Sequence, residues 1–130
     1  MQIGHLAKLA GVAIDTVRYY ERKGLLPEPL RQHSGYRRYQ EEDVLRLRFI
    51  RRSKMLGFTL EEIGGLLELS GRRNQDMADF KQAAQARLQS LEARIAELER
   101  VRAGLQRLVT SCPGHGSLAT CPILSALSEE

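Results

Sequence analysis

The chain has 130 residues, of which 28% are charged, and a formal net charge of +4. A chain of this length can bury one modest core, which excludes an elaborate catalytic domain and leaves room for one compact head with an extension. No apolar run approaches the roughly 20 residues that a bilayer span needs, and the N-terminus lacks a signal peptide's apolar stretch, so we expect a cytoplasmic protein with no membrane partner.

The positive charge is concentrated in the N-terminal part of the chain. Residues 1–54 carry 12 Lys and Arg against 6 Asp and Glu, a net charge of +6, whereas the remainder carries 8 against 10, a net charge of −2. Release of counterions from phosphates would give such a region an affinity for nucleic acid that weakens as salt rises. The distribution therefore indicates a nucleic-acid partner.

Two short helices joined by a turn are predicted at the N-terminus. Apolar residues recur at helical spacing over Ile3–Ala10, and Gly11 supplies the turn. A second helix is predicted from about Ile14 to Lys23, and Gly24 ends it. Its N-cap position holds Ala13, and the lack of a capping side chain typically costs about 1 kcal/mol.

The second predicted helix has the size that fits the major groove of DNA, with its first residues nearest the base edges. Tyr20 is also a candidate for the core, so Arg18 and Tyr19 are the favoured contacts. The residues of this helix predicted to contact DNA are Thr16, Arg18, Tyr19 and Tyr20.

Residues 30–39 are predicted to form a short hairpin wing. A turn signal at Ser34 and Gly35 is followed by alternating aromatic and basic residues. Tyr36 and Tyr39 could instead pack the wing onto the head, and packing is the favoured role for Tyr39. The residues predicted to face the phosphate backbone are Arg31, Tyr36 and Arg37.

Two further helices follow the wing. The third is predicted to begin at Gln40, with three acidic residues in its first turn, where the helix dipole favours negative charge. Gly57 interrupts it, and Thr59 with Glu62 forms a capping box for the fourth. About half of the basic residues opposite the third helix's apolar face are expected to be simply solvated. These residues are Arg46, Arg48, Arg51, Arg52 and Lys54.

One long helix is predicted from about Asp76 to Val109, with no proline and one glycine. Apolar residues at alternating spacings of three and four form the seam of a coiled coil, although Arg102 occupies one expected apolar place. Nothing in the chain is long enough to cover this seam, so a second copy must, and we predict an obligate homodimer. The seam consists of Leu88, Leu91, Ile95, Leu98, Leu105 and Val109.

The tail carries a candidate metal site. Cys112 and Cys121 are separated by eight residues rich in Gly, Ser and Ala, a loop flexible enough to bring both sulfurs to one ion. Pro122 fits the first position of a short helix, whose dipole would favour a thiolate at Cys121. Thiolates select soft ions over Mg or Ca. His115 is a candidate third ligand, although a solvent-facing role is equally expected; two unrelated thiols or a regulatory disulfide are the alternatives.

Three segments together resemble the MerR family of transcription regulators: TVRYYERKGLLPEP, GYRRY, and RLRFIRRSKMLGFTLEEI. The resemblance covers nearly the whole chain and implies a mainly α fold. It implies a winged helix-turn-helix DNA-binding head at residues 1–70, with the helix-turn-helix at about 4–23 and the wing at about 30–39. A dimerisation helix at 71–110 would form an antiparallel coiled coil, followed by a metal-binding loop and short helix at 111–130.

The tail resembles that of the family's metal sensors. Sensors of Zn(II), Cd(II), Pb(II) and Hg(II) carry a third cysteine near the start of the long helix, whereas Cu(I), Ag(I) and Au(I) sensors carry a noncoordinating residue. This chain has Met77 there, which favours a monovalent ion on two sulfurs. The eight-residue interval is longer than expected for copper sensors, so a divalent ion is the alternative. Met77 could lend a weak thioether ligand, although packing is the favoured role.

By this resemblance, the dimer binds double-stranded promoter DNA together with RNA polymerase, represses without metal, and activates with metal by bending and undertwisting the DNA. A metal-trafficking or storage protein and a regulator responsive to drugs or oxidants are the alternatives. An enzyme is least expected, because the sequence has no general base paired with a nucleophile and no phosphate-cradling glycine loop.

Overall fold

The computed structural model of the chain describes residues 1–31, 37–72 and 76–129. They form two compact units, Met1–Gln82 and Ala83–Glu130, which are considered separately. The predicted mainly α fold is confirmed. Along the part of the chain that is described, no helix is both long and apolar enough to cross a membrane. The elements are α1 (Ile3–Ala10), α2 (Ile14–Arg22), β1 (Leu30–Arg31), β2 (Arg37–Arg38), α3 (Glu41–Met55), α4 (Leu60–Ser70), α5 (Ala78–Ser111), a 3₁₀ turn (Leu118–Thr120) and α6 (Pro122–Ser128).

The first two helices form where the apolar spacing predicts them. Gly11 ends α1 in the left-handed region, with φ of +73°, and its backbone N–H bonds to carbonyls of the last turn. Helix α2 begins after Ala13, which makes no side-chain cap bond. It ends at Arg22, one residue earlier than predicted, because Lys23 already serves as the C-cap.

The predicted wing is present as a two-stranded antiparallel hairpin. Leu30 pairs with Arg38, and Arg31 pairs with Arg37. Tyr36 lies outside the described residues, and for Arg31 and Arg37 only the backbone is described.

Tyr39 fastens the end of the wing to the rest of the head. Its side chain is 1% exposed, and its hydroxyl donates a hydrogen bond to the carboxylate of Glu21. The Met1 ammonium donates to the Tyr39 carbonyl at 2.8 Å, and the Tyr39 N–H donates to the Met1 carbonyl at 2.7 Å. The packing role expected for Tyr39 is therefore confirmed.

Helices α3 and α4 complete the head. The Gln40 N–H donates to the Asp43 carboxylate at 2.8 Å, so Gln40 caps α3 rather than beginning it. The predicted capping box of α4 is confirmed: Thr59 Oγ1 accepts from the Glu62 N–H at 3.1 Å, and the Thr59 N–H donates to the Glu62 carboxylate at 2.9 Å. The core residues that these two helices contribute include Val44, Leu47, Ile50, Ile63, Leu66 and Leu67.

Helix α5 has 34 residues, none of them buried. It begins and ends two residues later than predicted. The residues of the predicted seam are between 41% and 68% exposed. Helix α6 begins at Pro122, as predicted from the sequence. The predicted division into residues 1–70, 71–110 and 111–130 stays a prediction.

Candidate nucleic-acid interface and metal-binding tail

One side of helix α2 is buried and another side is exposed to solvent. Val17 is fully buried and Tyr20 is 8% exposed, whereas Arg18 is exposed and Tyr19 is 38% exposed. Thr16 is half-buried at the start of the helix. The outward residues could reach a groove that receives this helix.

Tyr20 differs from the other residues predicted to contact DNA. Burial raises the pKa of its hydroxyl, and the neighbouring Tyr19 raises it further. Its ring therefore serves mainly in the core, because helical spacing places it on the same side of α2 as Val17.

Two basic residues accompany Tyr19 that the sequence reasoning did not single out. The Arg22 guanidinium carbon lies 6.0 Å from the centroid of the Tyr19 ring, and the Lys23 ammonium lies 5.7 Å from it. These are distances at which a cation is attracted to a ring face. The sequence could have indicated this arrangement, since Arg22 and Lys23 follow Tyr19 by three and four residues and so share its side of the helix.

The basic residues of α3 have different roles. The Arg46 side chain donates to the Leu25 carbonyl at 2.6 Å, and the Arg48 side chain donates to the Leu9 carbonyl at 3.1 Å. These two arginines connect α3 to the segments around α1 and α2. Arg51, Arg52 and Lys54 are exposed. We expected only about half of the basic residues of α3 to be simply solvated, and these hydrogen bonds are consistent with that expectation.

The tail brings the two cysteine thiols together. Both cysteines are free and half-buried, and the Cys112 side chain contributes to lowering the pKa of Cys121. Gly114 and Gly116, with φ of +83° and +107°, turn the loop between them, in a backbone region that favours glycine.

The sulfur of Cys121 also caps α6. Its Sγ accepts a hydrogen bond from the Leu124 N–H at 3.5 Å. This bond lowers the pKa of Cys121 below that of an ordinary thiol, and the Ile123 N–H and the Cys112 thiol act in the same direction against an opposing effect of burial. A thiolate is the form that binds soft metal ions, so this pair of sulfurs suits a thiophilic ion.

The two further candidate ligands, His115 and Met77, are both exposed. The His115 side chain is exposed, and its Nδ1 lies 3.2 Å from the Pro113 carbonyl oxygen. Among the residues described, no group of three or more His, Cys, Asp or Glu side chains could hold a metal ion. Met77 belongs to the first unit and is 82% exposed just before α5 begins. Roles for His115 and Met77 in metal binding stay predictions.

The sequence matches two family profiles that together cover most of the chain. Residues 1–70 match the MerR HTH family regulatory proteins, and residues 44–108 match the family described as MerR, DNA binding. This chain belongs to the MerR family. The resemblance inferred from the sequence motifs is confirmed.

Related proteins resemble this MerR-family chain over nearly its full length. It is 44% identical to the HTH-type transcriptional regulator ZntR of Escherichia coli (strain K12), over 98% of this chain and 92% of the relative. It is 38% identical to the HTH-type transcriptional regulator CueR of Salmonella typhimurium, with the same shares covered. The crystal structure of the transcription regulator PbrR691 from Ralstonia metallidurans CH34 in complex with lead(II) superposes with a TM-score of 0.88 at 36% identity, over 98% of this chain and 99% of the relative. Membership of a family of transcriptional regulators makes this chain a DNA-binding regulator and not an enzyme.

Proposed function

We propose that this MerR-family regulator acts as a homodimer on double-stranded promoter DNA and responds to a thiophilic metal ion held by Cys112 and Cys121. The observation that carries the proposal is the pair of free cysteines at the two ends of one glycine-turned loop, with the sulfur of Cys121 accepting the Leu124 N–H at the start of α6 and its pKa lowered by that bond. A promoter-binding regulator works where the chromosome is, so the cytoplasmic location predicted from the sequence belongs to this proposal.

The DNA contacts proposed for the head are those of α2 and the wing. Arg18 and Tyr19 are exposed on α2, and Arg22 and Lys23 add positive charge beside the Tyr19 ring. The remaining proposed contacts are Thr16 and the wing residues Arg31, Tyr36 and Arg37, with Tyr20 limited by its burial.

The homodimer is supported by the apolar seam of α5. A row of side chains at coiled-coil spacing that remains 41% to 68% exposed leaves a large apolar surface in water, which is unfavourable by about 25 cal/mol for each Å² of apolar area. Covering it with the same helix of a second copy removes this cost for both copies. An antiparallel arrangement is implied by the family resemblance.

Among thiophilic ions we favour the monovalent Cu(I), Ag(I) or Au(I). Two thiolates suffice for a linear monovalent ion, whereas Zn(II) sites usually need four ligands, or three with a water. The residues described provide the two sulfurs and no cluster of three ligands.

A divalent ion, namely Zn(II), Cd(II), Pb(II) or Hg(II), is the second candidate. It is supported by the likeness to PbrR691, which was crystallised with lead(II) and is 36% identical over nearly the whole chain. The eight-residue interval between the cysteines supports it as well.

The proposed response couples metal binding to the shape of the promoter. A metal ion shifts the dimer toward one conformation only if it binds that conformation more tightly, and the DNA must discriminate between the conformations by the same coupling free energy. The metal-bound dimer would bend and undertwist the DNA. This change of shape would bring the two polymerase recognition elements into alignment for RNA polymerase.

Transcription from a footprinted promoter tests the metal response. Purified protein is titrated with Cu(I) and with Zn(II), each buffered by a competing chelator, and transcript is measured in the same reactions. We expect protection of a palindromic promoter segment and activation at low free Cu(I). Productive activation at low free Zn(II) instead would establish the divalent alternative.

Substitution of the thiols tests the site. The Cys112→Ser, Cys121→Ser protein should still protect the promoter but lose activation by metal, whereas the neighbouring Ser111→Ala variant should respond like the wild type. Full activation of the double variant by metal would exclude the cysteine pair as the sensor. Absence of any promoter protection by the wild type would favour a metal-trafficking protein.

A further inference from the structure

A basic cluster lies where the C-terminal end of α1 meets α3. We define it as Lys8 of α1 with Arg48, Arg51 and Arg52 of α3, which together line a cavity of about 140 Å³. Within the described parts of the chain, the other residues of this cavity are apolar or glycine, and no carboxylate lines it.

Interactions within the head explain only part of the positive charge in this cluster. The last carbonyls of a helix attract positive charge, and Arg48 meets this need by donating to the Leu9 carbonyl at 3.1 Å. Lys8, Arg51 and Arg52 have no ion-pair partner among the residues that the structure describes. Like charges held close together repel one another, so the cluster suits an anionic partner.

Two members of the cluster are placed by contacts with the α1 end. Arg48 is fixed by its bond to the Leu9 carbonyl, and the Arg51 guanidinium lies over Gly11, where an added Cβ would be 3.0 Å from Arg51 Nη1. Arg48 therefore has less side-chain freedom to give up on binding than an unattached arginine would, which favours a partner of fixed geometry at that position.

The cluster lies beside the helix proposed to enter the DNA groove. Gly11 is three residues before Ile14, the first residue of α2, so the backbone joining them spans at most about 11 Å. The phosphate backbones that border the major groove are about 12 Å apart. A helix that enters this groove by its first turn therefore has the basic cluster near one of the groove's walls.

We propose that the basic cluster contacts backbone phosphates of the operator, at the edge of the half-site entered by α2. The inference rests on the proposed function, since it assumes that α2 occupies the major groove. Lys and Arg contacts to phosphates fix the register of a protein on DNA without reading its sequence. The cluster is thus a positioning surface for the DNA contacts of α2 and the wing.

Removal of charge from the exposed members tests the inference. The Lys8→Gln, Arg52→Gln protein is compared with wild type by fluorescence anisotropy on the footprinted operator duplex and on a scrambled duplex of equal length, over a series of salt concentrations. We expect both affinities to fall by a similar factor. The slope of log K against log salt should become shallower by roughly 0.9 for each phosphate that the variant no longer neutralises.

Three further variants complete the test. Arg100→Gln, Arg107→Gln removes the same charge from α5 and should leave the slope unchanged, whereas Lys8→Arg, Arg52→Lys keeps the charge and should keep the wild-type slope. Thermal melting by circular dichroism verifies that each protein is folded. Arg52→Gln alone, with a smaller expected change of slope, replaces the double variant if that protein is unfolded.

The outcomes separate this inference from the proposed function. A wild-type protein that binds no operator contradicts the proposed function itself. If the wild type binds its operator and the charge-removed variant keeps the same affinity and slope, the inference is overturned. A charge-removed variant that binds DNA like the wild type but no longer activates transcription would also overturn the inference. That result would indicate that the cluster contacts an acidic protein surface instead of DNA phosphates.

Discussion

At the scale of single residues, the sulfur of Cys121 shows how a local hydrogen bond prepares a side chain for metal binding. It accepts the Leu124 N–H at the start of α6, and its pKa is lowered for that reason first. A thiol at this position loses its proton more readily than one in an unfolded chain.

Cys121 should therefore react as a thiolate at unusually low pH. In metal-free protein, the rate of its alkylation by iodoacetamide should reach half of its maximum at a pH below the ordinary value of about 8.5, because more thiolate is present at each lower pH. Mass spectrometry of the peptide that contains Cys121 measures this rate. The midpoint should rise to the ordinary value in denaturant, and a midpoint that does not change on unfolding would contradict the role of the α6 amides.

Tyr39 illustrates a residue whose polar end matters as much as its ring. Its hydroxyl donates to the Glu21 carboxylate from a side chain that is 1% exposed. Tyr39→Phe should lower the free energy of unfolding by about 1.5 to 3 kcal/mol, the typical contribution of a hydrogen bond to a charged group. Urea denaturation measures the change. Tyr19→Phe, at an exposed ring, is the matched control and should be nearly neutral; equal effects of the two substitutions would be evidence against the buried hydrogen bond.

At the scale of elements, the helices of the head differ in how their first turns are satisfied. Thr59 and Glu62 exchange two hydrogen bonds at the start of α4, whereas Ala13 gives α2 no side-chain cap. Each helix leaves its first amide groups without partners inside the helix, so a missing cap has a cost in free energy.

Substitutions at these two caps should act in opposite directions. Thr59→Ala should destabilise the head by about 1 kcal/mol, and Ala13→Ser should stabilise it by a similar amount, provided that the new hydroxyl accepts an amide of the first turn of α2. The midpoints of urea denaturation measure both changes. A stabilising effect of Thr59→Ala, or a clear loss of stability in Ala13→Ser, would show that packing rather than capping controls these helix starts.

At the scale of the whole molecule, the main consideration is how the apolar side of α5 is covered. A 34-residue helix without a buried residue gains little from its own packing, since most helical stability in proteins comes from burial of an apolar side. A second copy provides that burial in the proposed homodimer.

The midpoint of thermal unfolding should therefore rise with protein concentration, because dissociation precedes or accompanies unfolding of a dimer. Leu98→Glu places a charge within the seam and should shift the protein to a monomer in analytical ultracentrifugation. Ala93→Glu introduces the same charge away from the seam and should remain a dimer. A wild-type protein that sediments as a monomer at all concentrations would contradict the homodimer.

Several features of this protein could be predicted from short stretches of sequence. The turn at Gly11, the capping box of Thr59 and Glu62, and the start of α6 at Pro122 all agree with the structure. They depend on interactions within a few residues, namely backbone conformation, side-chain caps and apolar spacing, and such interactions are visible in the order of the residues. The boundaries of α2 and α3 differed by one residue, where a capping residue was counted as helical, and those of α5 differed by two.

Other features required the tertiary structure, because they join residues that are distant in the sequence. The bond from Tyr39 to Glu21 depends on how α2 packs against the end of the wing. The use of Arg48 on the Leu9 carbonyl depends on the approach of α3 to α1. Local periodicity and motifs were thus enough to predict the helices, the capping box of α4 and the family. Only the folded head decided which basic and aromatic side chains are used internally and which remain available to a partner, since that depends on contacts between elements.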